Sequence, residues 1–234
     1  MINVRSLSKE FTDVIPRFKV IDNISLDIKE NEFVTIFGPN GCGKSVFLKI
    51  LAGLDEETSG MHPEFDKVGF VFQDFKNSLL PWLTVEENIA FTGNNPSSII
   101  QNFNLESHKD KFPYQLSGGL AQLVSIGRAI SGNPNLLVLD EPFSALDFQT
   151  AMNLKMKFLR YWEKNRITTF LVTHCPDEAI LLSDRVIVFS ELPAKIVDII
   201  EVDLPRPRTV EMLTSPEFLA LKTKLINAFR GFLQ

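Results

Sequence analysis

The sequence lacks a long hydrophobic run, and it contains only two cysteines, Cys42 and Cys175, among 234 residues. No stretch of about 18 predominantly apolar residues occurs, so we expect no segment that spans a membrane by itself. The first residues also lack the apolar core of a signal peptide. Two cysteines exclude a disulfide framework and indicate a reducing compartment, so we expect a cytosolic protein or one that a partner holds at a membrane.

An excess of basic residues is also missing, because 24 Lys and Arg stand against 29 Asp and Glu, a formal net charge of −5. Binding to nucleic acid in general requires a basic surface, so we expect no nucleic-acid partner. The net charge does not exclude phosphate ligands, because backbone amides can bind them. The hydrophobic content of 44% and the charged content of 23% are typical of a globular protein.

Short apolar runs alternate with helical patterns along much of the chain. We predict buried strands at residues 33–37, 68–72, 136–139, 169–172 and 186–189, and a half-exposed strand at residues 25–28. Residues 196–202 are expected to pair with residues 186–189 as an edge hairpin. Helices are predicted for residues 44–54 and after Ser117 to about residue 130. Strands that alternate with helices favour an α/β fold with a mainly parallel sheet.

The segment from about Phe75 to Leu116 has no long β pattern, so we predict a small helical insertion there. Within it, Thr84 and Glu87 have the spacing of a capping box that opens a helix through about Ala90. The sequence Gly93 to Pro96, with two asparagines between, should interrupt the helical pattern.

An apolar cluster lies in the insertion and consists of Leu79, Leu80, Trp82 and Leu83. It can be ordinary core, or it can line a groove for a partner. We favour the groove, because an apolar cluster beside a proline in a loop-like segment is difficult to bury completely.

Residues from about 205 to 234 are predicted to form a tail and a last amphipathic helix. Ser215 is the expected N-cap, and Pro216 occupies the first turn. The apolar face consists of Phe218, Leu221, Leu225, Phe229 and Phe232. This face could lie on a membrane surface, but the few basic residues favour packing on the protein body or on another subunit.

A glycine-rich loop follows the predicted strand at residues 33–37. Its residues Gly38, Pro39, Asn40, Gly41, Cys42, Gly43, Lys44 and Ser45 match the pattern G-x-x-x-x-G-K-[ST] between a buried strand and a helix. The glycines allow backbone amides to surround phosphate, and the helix N-terminus adds partial positive charge. Lys44 can reach the β- and γ-phosphates, and the Ser45 hydroxyl can bind Mg²⁺. We expect Cys42 to be a small packing residue.

The apolar strand at residues 136–139 ends in two acids, Asp140 and Glu141. In a phosphate-binding protein the strand directs Asp140 toward the metal, directly or through water. Glu141 could then polarise the attacking water. These two motifs together still allow kinases, G proteins and many ATPases.

A second glycine motif distinguishes among these classes. Leu116, Ser117, Gly118 and Gly119 lie at a predicted helix start, which is a second anion site. With this motif present, the sequence strongly resembles the ATP-binding cassette (ABC) ATPases. Residues 116–119 resemble their signature, residues 38–45 their Walker A motif and residues 136–141 their Walker B motif.

Further positions resemble the same family over essentially the whole chain. Gln73 resembles the Q-loop glutamine, residues 144–147 resemble the D-loop, and His174 resembles the switch histidine. Phe11 resembles the aromatic residue that stacks on adenine, although Phe18 is a rival and either ring can be core.

The resemblance implies one ABC ATPase domain over residues 1–234, with a mainly parallel core sheet, an N-terminal antiparallel β subdomain and an inserted helical subdomain at about residues 75–116. It implies that two ATPase subunits, identical or related, close head to tail around two ATP molecules. The Ser117 loop of one subunit would cap the γ-phosphate held by Lys44 of the other. Glu141 and His174 would complete the hydrolytic site, and Gln73 would transmit closure to transmembrane partners. The implied Mg²⁺ ligands are Ser45, Gln73 and Asp140.

Softer signals resemble the importer ATPases for nitrate, sulfonate, taurine and bicarbonate, and importers of pyrimidine vitamin precursors share them. They lie in residues 71–74, 79–82, 140–147, 177–179, 182–186 and 202–208. This resemblance implies transmembrane permease subunits, an external solute-binding protein that acts indirectly, and a peripheral position on the cytoplasmic face of the cell membrane.

Three positions depart from the family pattern. Leu120 replaces a common Gln, Leu123 replaces a common basic residue, and Cys175 replaces the usual Asp after the switch histidine. Leu120 keeps open an ABC-type ATP switch that is not coupled to transport, whereas Glu141 and His174 favour hydrolysis. An ATPase that works away from membranes is disfavoured, because such proteins usually carry two cassettes or a long coiled coil.

Overall fold

The computed structural model describes residues 2–12, 16–73, 78–93 and 96–231. Several residues used above lie outside these ranges: Asp74, Phe75, Asn94, Asn95 and Phe232. The chain separates into two compact units, residues 1–65 with 168–234 and residues 66–167. The single domain expected for residues 1–234, its insertion and its tail stay predictions. Within the described ranges, no helix combines the length and apolar character needed to cross a membrane.

The elements of secondary structure follow one another along both units. In chain order they are β1 (Ile2–Phe11), β2 (Phe18–Ile28), β3 (Phe33–Phe37), α1 (Lys44–Leu51), β4 (Ser59–Met61), β5 (Val68–Val71), α2 (Val85–Ala90), α3 (Pro96–Phe103), α4 (Gly118–Ser131), β6 (Leu136–Asp140), α5 (Phe148–Asn165), β7 (Thr168–Thr173), α6 (Pro176–Leu182), β8 (Arg185–Phe189), β9 (Ile196–Glu201) and α7 (Pro216–Arg230). Short 3-10 helices cover Glu106–His108, Pro113–Gln115 and Val210–Thr214.

Parallel strands form the centre of the first unit. β3 pairs in parallel with β7 on one side and with β8 on the other. β9 pairs antiparallel with β8, which confirms the predicted edge hairpin. Every residue of β3 and β7 is buried, and strands covered on both faces have continuous apolar sequences.

An antiparallel sheet completes the strands of this unit, with β1 between β2 and β4. The predicted strand at residues 25–28 corresponds only to the last four residues of β2. The register of β1 against β2 shifts three times, and Ser6 and Asn23 have φ values of 47° and 55°. Such bulges interrupt the alternation of apolar and polar residues from which a strand is predicted. The three residues of β4 are exposed, and they contain no apolar run from which a strand could be predicted.

Helix α1 ends at Leu51, three residues before the predicted end at Leu54. Gly53 has a φ of 68°, and the amide of Leu54 donates to the Lys49 carbonyl at 2.8 Å. A glycine in the left-handed region is a common way to end a helix, and here it stops α1 early. Inside the unit, the Phe47 ring of α1 lies edge-on to Phe189, with 5.4 Å between ring centroids.

The second unit contains the parallel pair β5 and β6 together with helices α2 to α5. The capping box of α2 is confirmed. The Thr84 hydroxyl accepts from the Glu87 amide at 3.3 Å, and the Glu87 carboxylate accepts from the Thr84 amide at 2.8 Å. The predicted helix after Ser117 is confirmed as α4.

The residues of the apolar cluster that precedes α2 differ in how exposed they are. Leu79 is buried, Leu80 and Leu83 are half-buried, and Trp82 is 69% exposed. The buried Asn88 fixes this loop, because its amide group donates to the carbonyls of Leu80 and Leu83 at 3.1 and 2.9 Å. Leu79 is therefore core, and Trp82 is held on the surface by a well-anchored loop.

The C-terminal helix α7 packs within the first unit. The Ser215 hydroxyl accepts from the Phe218 amide at 3.2 Å, which confirms the predicted N-cap. Phe218 and Leu225 are buried, and the Phe229 ring lies 5.4 Å from the Phe37 ring. The apolar face of α7 is therefore used for packing on the protein body rather than for a membrane surface.

A buried arginine joins the tail to the end of α6. Arg208 is 3% exposed, and its Nη1 donates to the carbonyls of Ile180, Leu181 and Ser183 at 2.9, 3.2 and 2.6 Å. Its Nη2 donates to the Val202 carbonyl at 3.2 Å. The guanidinium thus binds carbonyl oxygens that the last turn of a helix cannot bond itself.

Replacing Arg208 by Met should destabilise the protein, because buried carbonyls lose their donors. We expect the free energy of unfolding to fall by at least about 2 kcal/mol and the melting temperature by at least about 4 °C. Lys224→Met, at an exposed position, is the control and should change stability by less than about 0.5 kcal/mol. Equal melting curves for the two variants would contradict a stabilising role for Arg208.

Candidate functional site

The glycine-rich loop connects β3 to α1 in the first unit. Gly43 is the N-cap of α1 with a φ of 107°, and Gly41 has a φ of 77°. A Cβ atom on Gly43 would lie 2.8 Å from Cγ1 of Val20. The loop therefore needs glycine at residue 43 for two reasons, its backbone conformation and the close approach of Val20.

Lys44 is 5% exposed, and its ammonium lies within the loop. Its Nζ donates to the carbonyls of Gly38 and Pro39 at 2.9 and 2.7 Å. A phosphate oxygen is a stronger acceptor for an ammonium than a neutral carbonyl, so this donor suits an anionic ligand. Burial raises the pKa of the neighbouring Cys42 thiol, which fits the expectation of a neutral packing residue.

His174 belongs to the same unit as the glycine-rich loop. Phe37 at the end of β3 is paired with Thr173 at the end of β7, so the loop and His174 leave neighbouring strands at one edge of the sheet. The Thr173 hydroxyl donates to the Glu178 carboxylate and accepts from the Cys175 amide. His174 is exposed at this turn.

Sequence reasoning did not assign a role to Thr173. Its hydroxyl shapes the turn that presents His174, because it bonds residues on both sides of the α6 start. One sequence pattern could have indicated this role: a hydroxyl residue at the end of a strand, followed by an acid in the first turn of the next helix.

The acidic residues lie in the second unit, at the end of β6. Val71 pairs with Leu139, so Gln73 and Glu141 follow neighbouring parallel strands. The Gln73 amide donates to Oε2 of Glu141 at 3.3 Å. Asp140 is buried, and Glu141 is half-buried. The structure thus brings together two of the predicted residues, Gln73 and Glu141.

Glu141 has a φ of 46°, which is uncommon for a residue other than glycine. The amide and the hydroxyl of Ser144 donate to the Glu141 carbonyl at 3.3 and 3.0 Å. Left-handed residues that neighbouring groups hold in place are concentrated at functional sites. This turn therefore fixes the direction in which the Glu141 carboxylate leaves β6.

Ser117 is the N-cap of the 14-residue helix α4, and its hydroxyl accepts from the Leu120 amide at 3.4 Å. Ser117 is exposed, whereas Gly119 is buried. Leu120 serves this cap through its backbone, which any residue provides. Leu123 is buried, so its apolar side chain belongs to the core.

Phe11 and Phe18 are paired with each other at the end of the β1–β2 ribbon. The Lys9 ammonium lies 5.1 Å from the centroid of the Phe11 ring, and the Phe18 side chain is 45% exposed. Adenine stacking stays a prediction for either ring.

The donor atoms of the predicted metal ligands suit Mg²⁺. This ion prefers oxygen donors, takes few of them from the protein and completes its shell with water and phosphate. Ser45, Gln73 and Asp140 offer a hydroxyl, an amide oxygen and a carboxylate. In the ranges that the structure describes, no group of three His, Cys, Asp or Glu side chains could hold a metal. By chemical type, the three predicted donors are therefore ones that Mg²⁺ accepts.

Comparison with known proteins identifies relatives over nearly the whole chain. The sequence model of the ABC transporter family matches residues 21–144. An uncharacterised ABC transporter ATP-binding protein of Methanocaldococcus jannaschii is 41% identical, over 98% of this chain and 91% of that protein. An aliphatic sulfonates import ATP-binding protein of Bacillus cereus is 38% identical, over 97% of this chain and 95% of that protein. A solved dimeric ATP-binding cassette with ADP and Pi superposes with a TM-score of 0.73 at 29% identity, over 88% of this chain and 100% of that chain.

Alanine substitutions at residues 41 and 43 should separate the cost of a positive φ from the cost of the contact with Val20. Gly41→Ala has open space around its Cβ and should cost about 1–2 kcal/mol for its positive φ. Gly43→Ala adds the clash with Val20, which should cost about 1–3 kcal/mol more. Thermal melts should therefore rank Gly43→Ala below Gly41→Ala, and Val20→Ala should restore part of the Gly43→Ala loss. Equal losses would contradict the close approach of Val20.

Proposed function

Because the chain belongs to the ABC transporter family as an ATP-hydrolysing, ATP-binding subunit, we propose that it powers an importer of a small solute. One observation carries this proposal. The chain is 38% identical over 97% of its length to an aliphatic sulfonate import ATPase. It also keeps the acid and the histidine expected for hydrolysis, Glu141 and His174.

In the proposed site, the loop amides and Lys44 bind the β- and γ-phosphates of ATP. Ser45, Asp140 and Gln73 would hold Mg²⁺, and the bound ion would neutralise negative charge on the phosphate oxygens. The buried position of Lys44 supports its role, because a charge removed from water interacts more strongly with an anionic ligand.

Hydrolysis requires a group that accepts a proton from the attacking water. We assign this role to the Glu141 carboxylate, which the Gln73 amide and the strained turn hold in place. The water oxygen bonds to the γ-phosphorus, the bond from that phosphorus to the bridging oxygen breaks, and ADP leaves with the bridging oxygen. His174 donates a hydrogen bond to the γ-phosphate.

A second ATPase subunit, either another copy or a related chain, completes the proposed site. The exposed Ser117 at the start of α4 contacts the γ-phosphate held by Lys44 of the other subunit. The partial positive charge of a helix N-terminus stabilises that phosphate, so hydrolysis depends on dimer closure. The dimeric state of the superposed cassette supports this arrangement.

The proposed solute is a small anion or zwitterion such as a sulfonate, nitrate, taurine or bicarbonate. An external solute-binding protein would deliver it, and this subunit would lie peripherally on the cytoplasmic face of the membrane. The uncoupled ATP switch gains no support from Leu120 and Leu123. The first contributes its backbone amide to the Ser117 cap, and the second is buried core.

The permease subunit is proposed to dock at a groove in the second unit. This groove has a volume of about 670 Å³, and its lining includes Leu80, Phe91 and Arg128. Phe91 is 66% exposed, and the neighbouring loop presents the exposed Trp82. Burial lowers the pKa of the Arg128 guanidinium, since a charge is less favourable there. An apolar permease segment with a carboxylate would match this surface.

Glu141→Gln should retain ATP binding and lose hydrolysis, because an amide cannot accept the water proton. With ATP and Mg²⁺ the variant should accumulate as a closed dimer, which doubles the mass measured by light scattering. The double variant Lys44→Ala/Glu141→Gln is the control. It should stay monomeric, because loss of the ammonium should weaken ATP binding at least about tenfold. Turnover at the wild-type rate in Glu141→Gln would assign the base to another residue.

Trp82→Glu should leave the melting temperature of the free subunit unchanged within about 1 °C, because Trp82 lies on the surface of an anchored loop. It should reduce the amount of permease that co-purifies from solubilised membranes, because docking would bury an unpaired carboxylate. Leu219→Glu, at an exposed apolar position on α7, is the control and should keep the permease. A drop of several degrees in Trp82→Glu would make this residue structural.

A further inference from the structure

We propose that Thr150 is a positioning residue that connects Asp147 to the Ser117 loop, and that its methyl group is the reason for glycine at position 119. The proposal rests on the function proposed above for Ser117. Its contacts all lie within the second unit.

The first contact joins Thr150 to Asp147, the N-cap of α5. The Thr150 amide donates to Oδ1 of Asp147 at 3.0 Å. The Thr150 amide and then the Thr150 hydroxyl lower the pKa of the Asp147 carboxyl, because both donate to its charged form. The branched Cβ atom leaves the Thr150 side chain few χ1 rotamers within a helix, which restricts the directions that its methyl group can take.

The second contact joins Thr150 to Gly119 in the first turn of α4. A Cβ atom at residue 119 would lie 2.3 Å from Cγ2 of Thr150, and its next contact would be Cβ of Thr150 at 3.8 Å. Gly119 does not have a positive φ, so its backbone conformation is open to any residue. The glycine is therefore required by the Thr150 methyl group and not by the geometry of the loop.

These two contacts make one residue a spacer between two helix N-termini. The Thr150 amide bonds the Asp147 cap at the start of α5, and the Thr150 methyl group lies against the start of α4, two residues after Ser117. An added Cβ at residue 119 would have to displace α4 or turn the Thr150 side chain out of its rotamer. A displaced α4 moves the Ser117 hydroxyl relative to α5, and in the proposed function dimer closure depends on the position of that hydroxyl.

A different explanation for Gly119 is that a phosphate or the other subunit must approach its backbone closely. The two explanations differ in what removal of the Thr150 methyl group does. If the Thr150 methyl group is the reason for glycine at residue 119, Thr150→Ser should restore the function that Gly119→Ala loses. If a ligand is the reason, the residue at position 150 should make no difference.

The experiment compares Gly119→Ala, Thr150→Ser and the doubles Gly119→Ala/Thr150→Ser and Gly119→Ala/Thr150→Val. ATP turnover at saturating ATP and Mg²⁺ and the melting temperature are measured for each. ATP-driven dimerisation is measured after Glu141→Gln is added. Gly119→Ala should lower turnover at least about tenfold. The serine double should return to within about threefold of Thr150→Ser, and the valine double, which keeps a methyl group in the same place, should stay impaired.

Equal impairment of the serine and valine doubles would overturn the proposal. If Gly119→Ala folds poorly, the melting temperatures still test it, because serine and not valine should restore them. A ¹³C NMR titration tests the Thr150 hydroxyl, since the pKa of Asp147 should rise in Thr150→Val while the amide bond stays, and an unchanged pKa would exclude a bond from the hydroxyl. Neither the melts nor the titration requires ATP hydrolysis. If the wild-type protein were inactive and monomeric, the proposed function would be rejected. The contact between Thr150 and Gly119 would still be tested by the melts.

Discussion

In each compact unit, the parallel pairing of two neighbouring strands brings their carboxyl ends to the same level. Phe37 pairs with Thr173 in the first unit, and Val71 pairs with Leu139 in the second. The residues that follow such strand ends emerge at one edge of the sheet, where ligands bind in open α/β sheets. The glycine-rich loop and His174 emerge in this way in one unit. Gln73 and Glu141 emerge in this way in the other.

Hydroxyl groups then fix the turns that leave these strands and that begin the helices. Thr173 bonds the residues around His174, Ser144 bonds the strained carbonyl of Glu141, and Ser117 caps α4. Each is a short-range bond between a side chain and the backbone, the type that competes well with regular secondary structure. The functional side chains are thus positioned by rigid strands on one side and by capped turns on the other.

Departures from a family pattern can be judged by what the departing residue contacts. Leu120 contributes its amide to the Ser117 cap, and Leu123 is part of the core, so neither removes a group that the proposed chemistry uses. Cys175 is the N-cap residue of α6, its side chain makes no capping hydrogen bond, and its own amide donates to Thr173. The turn at His174 is therefore held by Thr173, although the usual acid is replaced.

The amino-acid sequence by itself determined the buried strands, the glycine-rich loop, the acids at the end of β6, the start of α4 after Ser117 and the caps of α2 and α7. These features depend on residues close together in the chain, where spacing fixes which groups can bond. Only the tertiary structure decided that Leu79 is core while Trp82 is exposed, that Arg208 binds the end of α6, and that Thr150 touches Gly119. Such contacts join residues far apart in sequence, and packing brings them together, so no local pattern predicts them.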